Sequence, residues 1–191
     1  KQGYQVTGID FSKRSVNYAR SSALKKGVDI TYLYQNYLDM KLHKVFDFAT
    51  MIYCDYGALS TSDRKKLMGR VYQHLKPGGK FLLDVFSLET YYSFQEMQTW
   101  EICNDGGFWR EDAYVAIYGH YKYLNSVTLE QTTVISNTNT AVYYVWNTCF
   151  TKETLMEEAK EAGFKVCEFF GDVAGKPFHE DSPTIAVLLE K

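Results

Sequence analysis

The chain has 191 residues, enough for one domain with a sizeable core and an insertion. Hydrophobic residues make up 46% and charged residues 23%, the ordinary balance of a soluble globular protein. With 21 basic and 23 acidic residues the net charge is -2, which argues against a nucleic-acid binder working through a basic surface. Cys54, Cys103, Cys149 and Cys167 form no CxxC pair, so no zinc or redox motif is expected. They read as the reduced thiols of a cytoplasmic protein. No apolar segment is long enough to span a membrane and no signal peptide is visible, so no membrane partner is expected.

In chain order, Tyr4 to Ile9 reads as a buried strand that stops on an acid, Asp10. Ser12 caps a helix whose stripe is Val16, Ala19, Ala23 and Leu24, and Gly27 ends it. ITYLY (30–34) and FDFATMIY (46–53) are the next strands. The second is apolar on both faces and belongs in a sheet covered on both sides. STSD (60–63) opens a helix with Leu67, Met68, Val71, Tyr72 and Leu75 inward. Pro77, Gly78 and Gly79 then turn the chain into a strand at 80–86. The alternation predicts an α/β fold with an open, doubly wound sheet.

The helical period is lost between 88 and 150. YVAIYGHYKYL, VTLEQTTVIS and AVYYVWNTCF predict three antiparallel strands, an insertion that caps the main domain. Thr151 caps a helix to Ala162, and FKVCEFFGDV and PTIAVLLEK close the chain as an antiparallel pair. The expected division is a main domain of residues 1–87 and 151–191 with an insertion of residues 88–150.

Asp10 poses the functional question. An acid at a strand's carboxyl end in such a sheet can hold the ribose hydroxyls of an adenosine cofactor. It can equally be a helix-start acid favoured by the macrodipole.

The set VTGIDFS (6–12), YLYQNYLDM (32–40), FDFATMIYCDYGALS (46–60) and LKPGGKFLLDVF (75–86) resembles, in order and spacing, the class I S-adenosylmethionine-dependent methyltransferases. The likeness runs from the family's second strand to its fifth and includes the closing strand pair; it leaves out the insertion. It implies a Rossmann-like fold with an antiparallel last strand and S-adenosylmethionine as cofactor. Asp10 would hold the ribose, with Phe11 against the adenine and Ser12 beside them. Asn36 and Tyr37 would flank the adenine, with Asp39 as the alternative. Tyr53 and Cys54 would line the methionine part, and Asp55 and Tyr56 would face the reacting end. The family's glycine-rich loop and first strand do not appear. Without them the sheet would have a central hole and two unpaired edges, so a preceding strand-helix unit of about 30 to 50 residues is expected.

The reaction implied is in-line transfer of a methyl group to a small-molecule nitrogen or oxygen. Tyr53 and Tyr56 are the aromatic candidates for the sulfonium. Asp55 and His120 are the candidate bases. No metal site is expected. The aromatic insertion would set the substrate or form a homodimer. The rivals are an NAD(P)-dependent oxidoreductase and a cofactor-binding domain without catalysis.

Overall fold

The computed structural model describes residues 3–191. Strand β1 (Val6–Asp10), helix α1 (Lys13–Lys25) and strand β2 (Ile30–Tyr34) form the first unit. The two strands pair in parallel, from Val6 with Ile30 to Asp10 with Tyr34. Ser12 starts the helix: its hydroxyl accepts the Ser15 N–H at 3.2 Å, satisfying one of the orphan donors of a helix start. Val16 and Ala23 are the helix's buried contacts. At Gly27 the chain takes φ +61, a left-handed turn out of the helix that glycine allows at little cost.

Strand β3 (Phe46–Met51), helix α2 (Thr61–His74) and strand β4 (Leu75–Phe86) follow, and helix α4 (Lys152–Glu161) leads into β9 (Lys165–Phe170) and β10 (Thr184–Glu190). The order in this sheet is β3-β4-β10-β9. β3 and β4 are parallel, while β10 is antiparallel to both neighbours. The closing pair is therefore antiparallel, as its lack of an intervening helix implies. Strand pairing begins at Leu75, earlier than Lys80, with a register shift where Pro77 and the glycines interrupt the ladder. The core lies on the α2 and α4 side of this sheet, where Leu67, Met68, Phe81, Leu83, Leu155 and Phe164 are buried together. Each such side chain contributes about 1.5–3 kcal/mol by leaving water.

The main sheet is in two pieces. β1 and β3 do not pair with each other, and both line one cleft of about 1310 Å³. The floor includes Met40, Leu67, Val71, Leu75 and Phe81. This open edge corrects the expectation that Phe46 to Tyr53 is covered on both faces. Phe48 is 50% and Ile52 52% exposed because they border the cleft. On the opposite edge the Thr7 hydroxyl is buried without a partner.

After β4, helix α3 (Leu88–Ser93) leads into strands β5 (Met97–Cys103), β6 (Tyr114–Tyr123), β7 (Val127–Ser136) and β8 (Thr140–Thr148). They form a separate antiparallel sheet in chain order. The sequence pattern predicts three strands here, and the structure has four. The strand missing from that expectation is β5, an edge strand exposed from Met97 to Ile102, in which only the short stretch Thr99–Ile102 alternates polar and apolar residues. β6 and β7 are joined through Leu124, Asn125 and Ser126, and the last two are left-handed at φ +61 and +58. Trp109 stacks on Tyr143 at 4.8 Å and donates its indole N–H to the Tyr118 hydroxyl. The buried Tyr114, Ala116 and Val134 sit against this group.

Candidate functional site

The cleft runs along the unpaired edges of β1 and β3, and Asp10, Phe11, Ile52 and Asp55 line it where those strands end, the end at which open α/β sheets bind ligands. Asp10 is the last residue of β1. Its Oδ1 accepts the Ser12 N–H at 2.6 Å, which fixes the turn into α1. Oδ2 has no hydrogen bond to another described residue, so one carboxylate oxygen remains for a ligand. Asp10 and Phe11 both line the cleft, and Phe11 is 66% exposed, an open aromatic surface next to that oxygen.

A second wall comes from two 3₁₀ turns, Tyr37–Asp39 after β2 and Asp55–Ala58 after β3. The Tyr37 hydroxyl donates to Asp55 Oδ2 at 3.2 Å and so links the two halves of the sheet across the cleft mouth. Burial first, and the Asp55 charge second, push the Tyr37 hydroxyl up to about 12, so it stays protonated and donating at neutral pH. Between β3 and its turn stand two left-handed residues without glycine's freedom, Tyr53 at φ +80 and Cys54 at φ +58. Each such residue costs about 1–3 kcal/mol and persists only where its surroundings fix it. Tyr53 is 95% exposed as a result, whereas Cys54 is buried. Burial and the nearby Asp84 carboxylate push the Cys54 thiol up to about 12.

Comparison with known proteins matches this arrangement to one family. Residues 1–79 match the family described as Methyltransferase domain. A protein of Geobacillus sp. (strain WCH70), named "Putative methyltransferase", is 34% identical over 89 residues, covering 46% of this chain and 36% of that protein. The chain thus spans little more than a third of that relative. An S-adenosylmethionine-dependent methyltransferase from Clostridium acetobutylicum ATCC 824 superposes on 98% of this chain and 75% of its own, with a TM-score of 0.76 at 13% identity. The glycopeptide N-methyltransferase MtfA, solved with S-adenosyl-L-methionine, covers 98% of this chain and 77% of its own, with a TM-score of 0.62 at 19% identity. The fold is that of these S-adenosylmethionine-dependent methyltransferases, and the methyltransferase-domain match lies in residues 1–79.

The structure brings Asp10, Phe11, Tyr37 and Asp55 to one cleft. The other candidates do not line it, and Tyr53 stands exposed at its rim between the lining residues Ile52 and Asp55. Tyr56 is fully buried, and its hydroxyl donates to Glu158 at 2.5 Å. Its hydroxyl is occupied inside the core, and it does not line the cleft. The apolar stretch around it gave no sign of this, because the partner is 102 residues away. His120 sits on β6 with its ring 5.5 Å from Phe94 and does not line the cleft. Asn36 is exposed outside the cleft, and its side-chain oxygen is occupied by the Leu38 N–H at 2.9 Å. Asp39 is paired with Lys66 at 2.7 Å. Ser12 is occupied as the helix cap, and the Cys54 side chain is turned inward to Asp84. His74, which lines the cleft, accepts the Leu42 N–H at 2.9 Å and bonds the Arg70 carbonyl at 2.8 Å.

Sequence reasoning missed Asp84. It lies in the apolar run FLLDVF, is only 7% exposed, and accepts the Cys54 N–H at 3.0 Å. The signal was available: an acid inside a buried strand has to have a partner.

Proposed function

We propose that the protein is an enzyme that transfers a methyl group from S-adenosylmethionine to a nitrogen or oxygen of a small molecule. The observation that carries this reading is Asp10. Its free carboxylate oxygen lies at the end of a parallel strand, over a cleft that also holds Phe11. A carboxylate can accept both ribose hydroxyls, and an open aromatic ring next to it suits a purine. Bound there, the cofactor supplies an electrophilic methyl carbon. The acceptor's lone pair forms the new bond as the carbon–sulfur bond breaks, and its electrons stay on sulfur to give S-adenosylhomocysteine.

The protein's own task is alignment and water exclusion. The exposed ring of Tyr53 suits a sulfonium, worth about 0.5–2 kcal/mol by cation–π attraction. Asp55, held by Tyr37, is the base for a protonated amine or hydroxyl. A parallel strand between the edges of β1 and β3 would join the two sheets and complete the wall opposite Asp10. The insertion, residues 88–150, with its exposed Trp100, Tyr144 and Trp146, is the substrate cap and a surface for homodimerisation. The setting proposed is the cytoplasm, where the four free thiols would stay reduced.

The test is release of S-adenosylhomocysteine from S-adenosylmethionine with a panel of amine and hydroxyl acceptors. Glycosylated and peptidic amines come first, given the acceptor named for MtfA. Acceptor-dependent release that Asp55→Asn reduces at least tenfold supports the reading. Binding without release for any acceptor favours a non-catalytic domain.

A further inference from the structure

The left-handed pair Tyr53–Cys54 stands where the cleft begins, and nothing in its own sequence favours that conformation. Something outside the turn has to hold it. The side chain that reaches it is Asp84, near the carboxyl end of β4. Phe81, Leu83 and Val85 face one side of that strand and are fully buried. The pleat therefore turns Asp84 to the other side, with Leu82 and Phe86. One carboxylate oxygen accepts the Cys54 backbone N–H at 3.0 Å, and the Cys54 thiol points at the other at 3.8 Å. Asp84 has no ion-pair partner among the described residues. A buried carboxylate is costly unless its hydrogen bonds are made, so the turn and the acid depend on each other.

We propose that Asp84 is the positioning residue of the methyl-donor site: it locks the left-handed Tyr53–Cys54 turn and thereby sets Tyr53 and Asp55 at the cleft mouth. Asp84 is not among the residues that line the cleft and acts through the Cys54 backbone. The two residues it aims come immediately before and after Cys54. Tyr53 is almost wholly exposed, and Asp55 carries the bond to Tyr37 that spans the cleft. Letting the turn relax to negative φ would move both.

The inference rests on the methyltransferase reading, and glycine gives it a test of its own. Glycine adopts positive φ without help, so Cys54→Gly should make Asp84 dispensable. The full-length protein is titrated calorimetrically with S-adenosylhomocysteine as wild type, Asp84→Ala, Asp84→Asn, Cys54→Gly and the Asp84→Ala/Cys54→Gly double variant. Asp84→Ala should weaken binding at least tenfold. Asp84→Asn keeps an acceptor for the Cys54 N–H and should stay within threefold. In the Cys54→Gly background, Asp84→Ala should cost less than threefold. A loss of equal size in both backgrounds, or none in either, overturns the proposal. If Asp84→Ala does not fold, recovery of folding by Cys54→Gly supports the lock and failure to recover overturns it.

If the wild type binds no S-adenosylhomocysteine, the functional reading fails, and thiol labelling decides the lock separately. Peptide-mapped alkylation by N-ethylmaleimide should label Cys54 at least tenfold faster in Asp84→Ala than in wild type. Equal rates would overturn the proposal.

Discussion

Removing Glu158 tests the packing that holds the site's second wall. Arg64 is 5% exposed, and its guanidinium bonds both oxygens of Glu158, at 2.8 to 3.1 Å. The same group donates to the Leu59 carbonyl at 2.8 Å and lies 5.2 Å from the Phe150 ring centroid. Tyr56 adds its hydroxyl to Glu158 at 2.5 Å. Glu158→Ala therefore strands a buried cation and a buried hydroxyl at once. Removing one partner of a buried pair costs about 3–5 kcal/mol. The Glu158 side chain is 25% exposed, so water can reach part of the vacated space and the low end applies, about 3 kcal/mol. For a chain of this size that lowers Tm by roughly 6–12 °C, read by circular dichroism at 222 nm. Replacing both partners, as Arg64→Met with Glu158→Leu, leaves no stranded charge and should cost less than Glu158→Ala alone. A fall under about 3 °C for Glu158→Ala, or a double variant worse than the single, would refute the reasoning.

Further outcomes are expected. Burial pushes the Cys54 and Cys149 thiols up to about 12 and about 11 from 9.0. Above pH 9 the unfolded chain releases these protons while the folded one keeps them, so stability falls as pH rises from 9 towards 11. Urea midpoints at pH 8, 9.5 and 10.5 should decrease in that order, and Cys149→Ala should flatten the decline. Gly57→Ala would place a Cβ 2.8 Å from the Thr148 carbonyl oxygen. That is backbone against backbone between the Asp55–Ala58 turn and β8, and it should cost about 1–3 kcal/mol. Gly69→Ala, inside α2 with nothing within 4 Å of the new Cβ, should instead stabilise by about 0.5–1 kcal/mol. Thermal melts of the two variants should move in opposite directions.

What could be read in the sequence was what local chemistry writes there. Ser12, Ser60 and Thr151 mark three helix starts, and each side chain makes the capping bond. FDFATM and FLLDVF mark strands because their apolar runs are short and bounded by turns. Asp10 and Phe11 could be picked out because a strand ends at one and a helix begins just after the other. What could not be read depends on distant partners. Nothing near Tyr56 announces Glu158, whereas the Asn36 oxygen is taken locally, by the Leu38 N–H two residues on, as asparagine side chains in turns often are. β5 escaped because its alternation is confined to Thr99–Ile102, too short a run to mark a strand. Phe48 misled because its apolar character implied a covering layer, and the structure has an open cleft there.

The most direct test of the account is a calorimetric titration of S-adenosylhomocysteine into the full-length protein, with Asp10→Ala beside it. The account predicts micromolar binding that weakens at least tenfold in the variant. Equal affinity for both would leave Asp10 as no more than the residue that fixes the turn into α1. No binding to either would contradict the cofactor assignment itself.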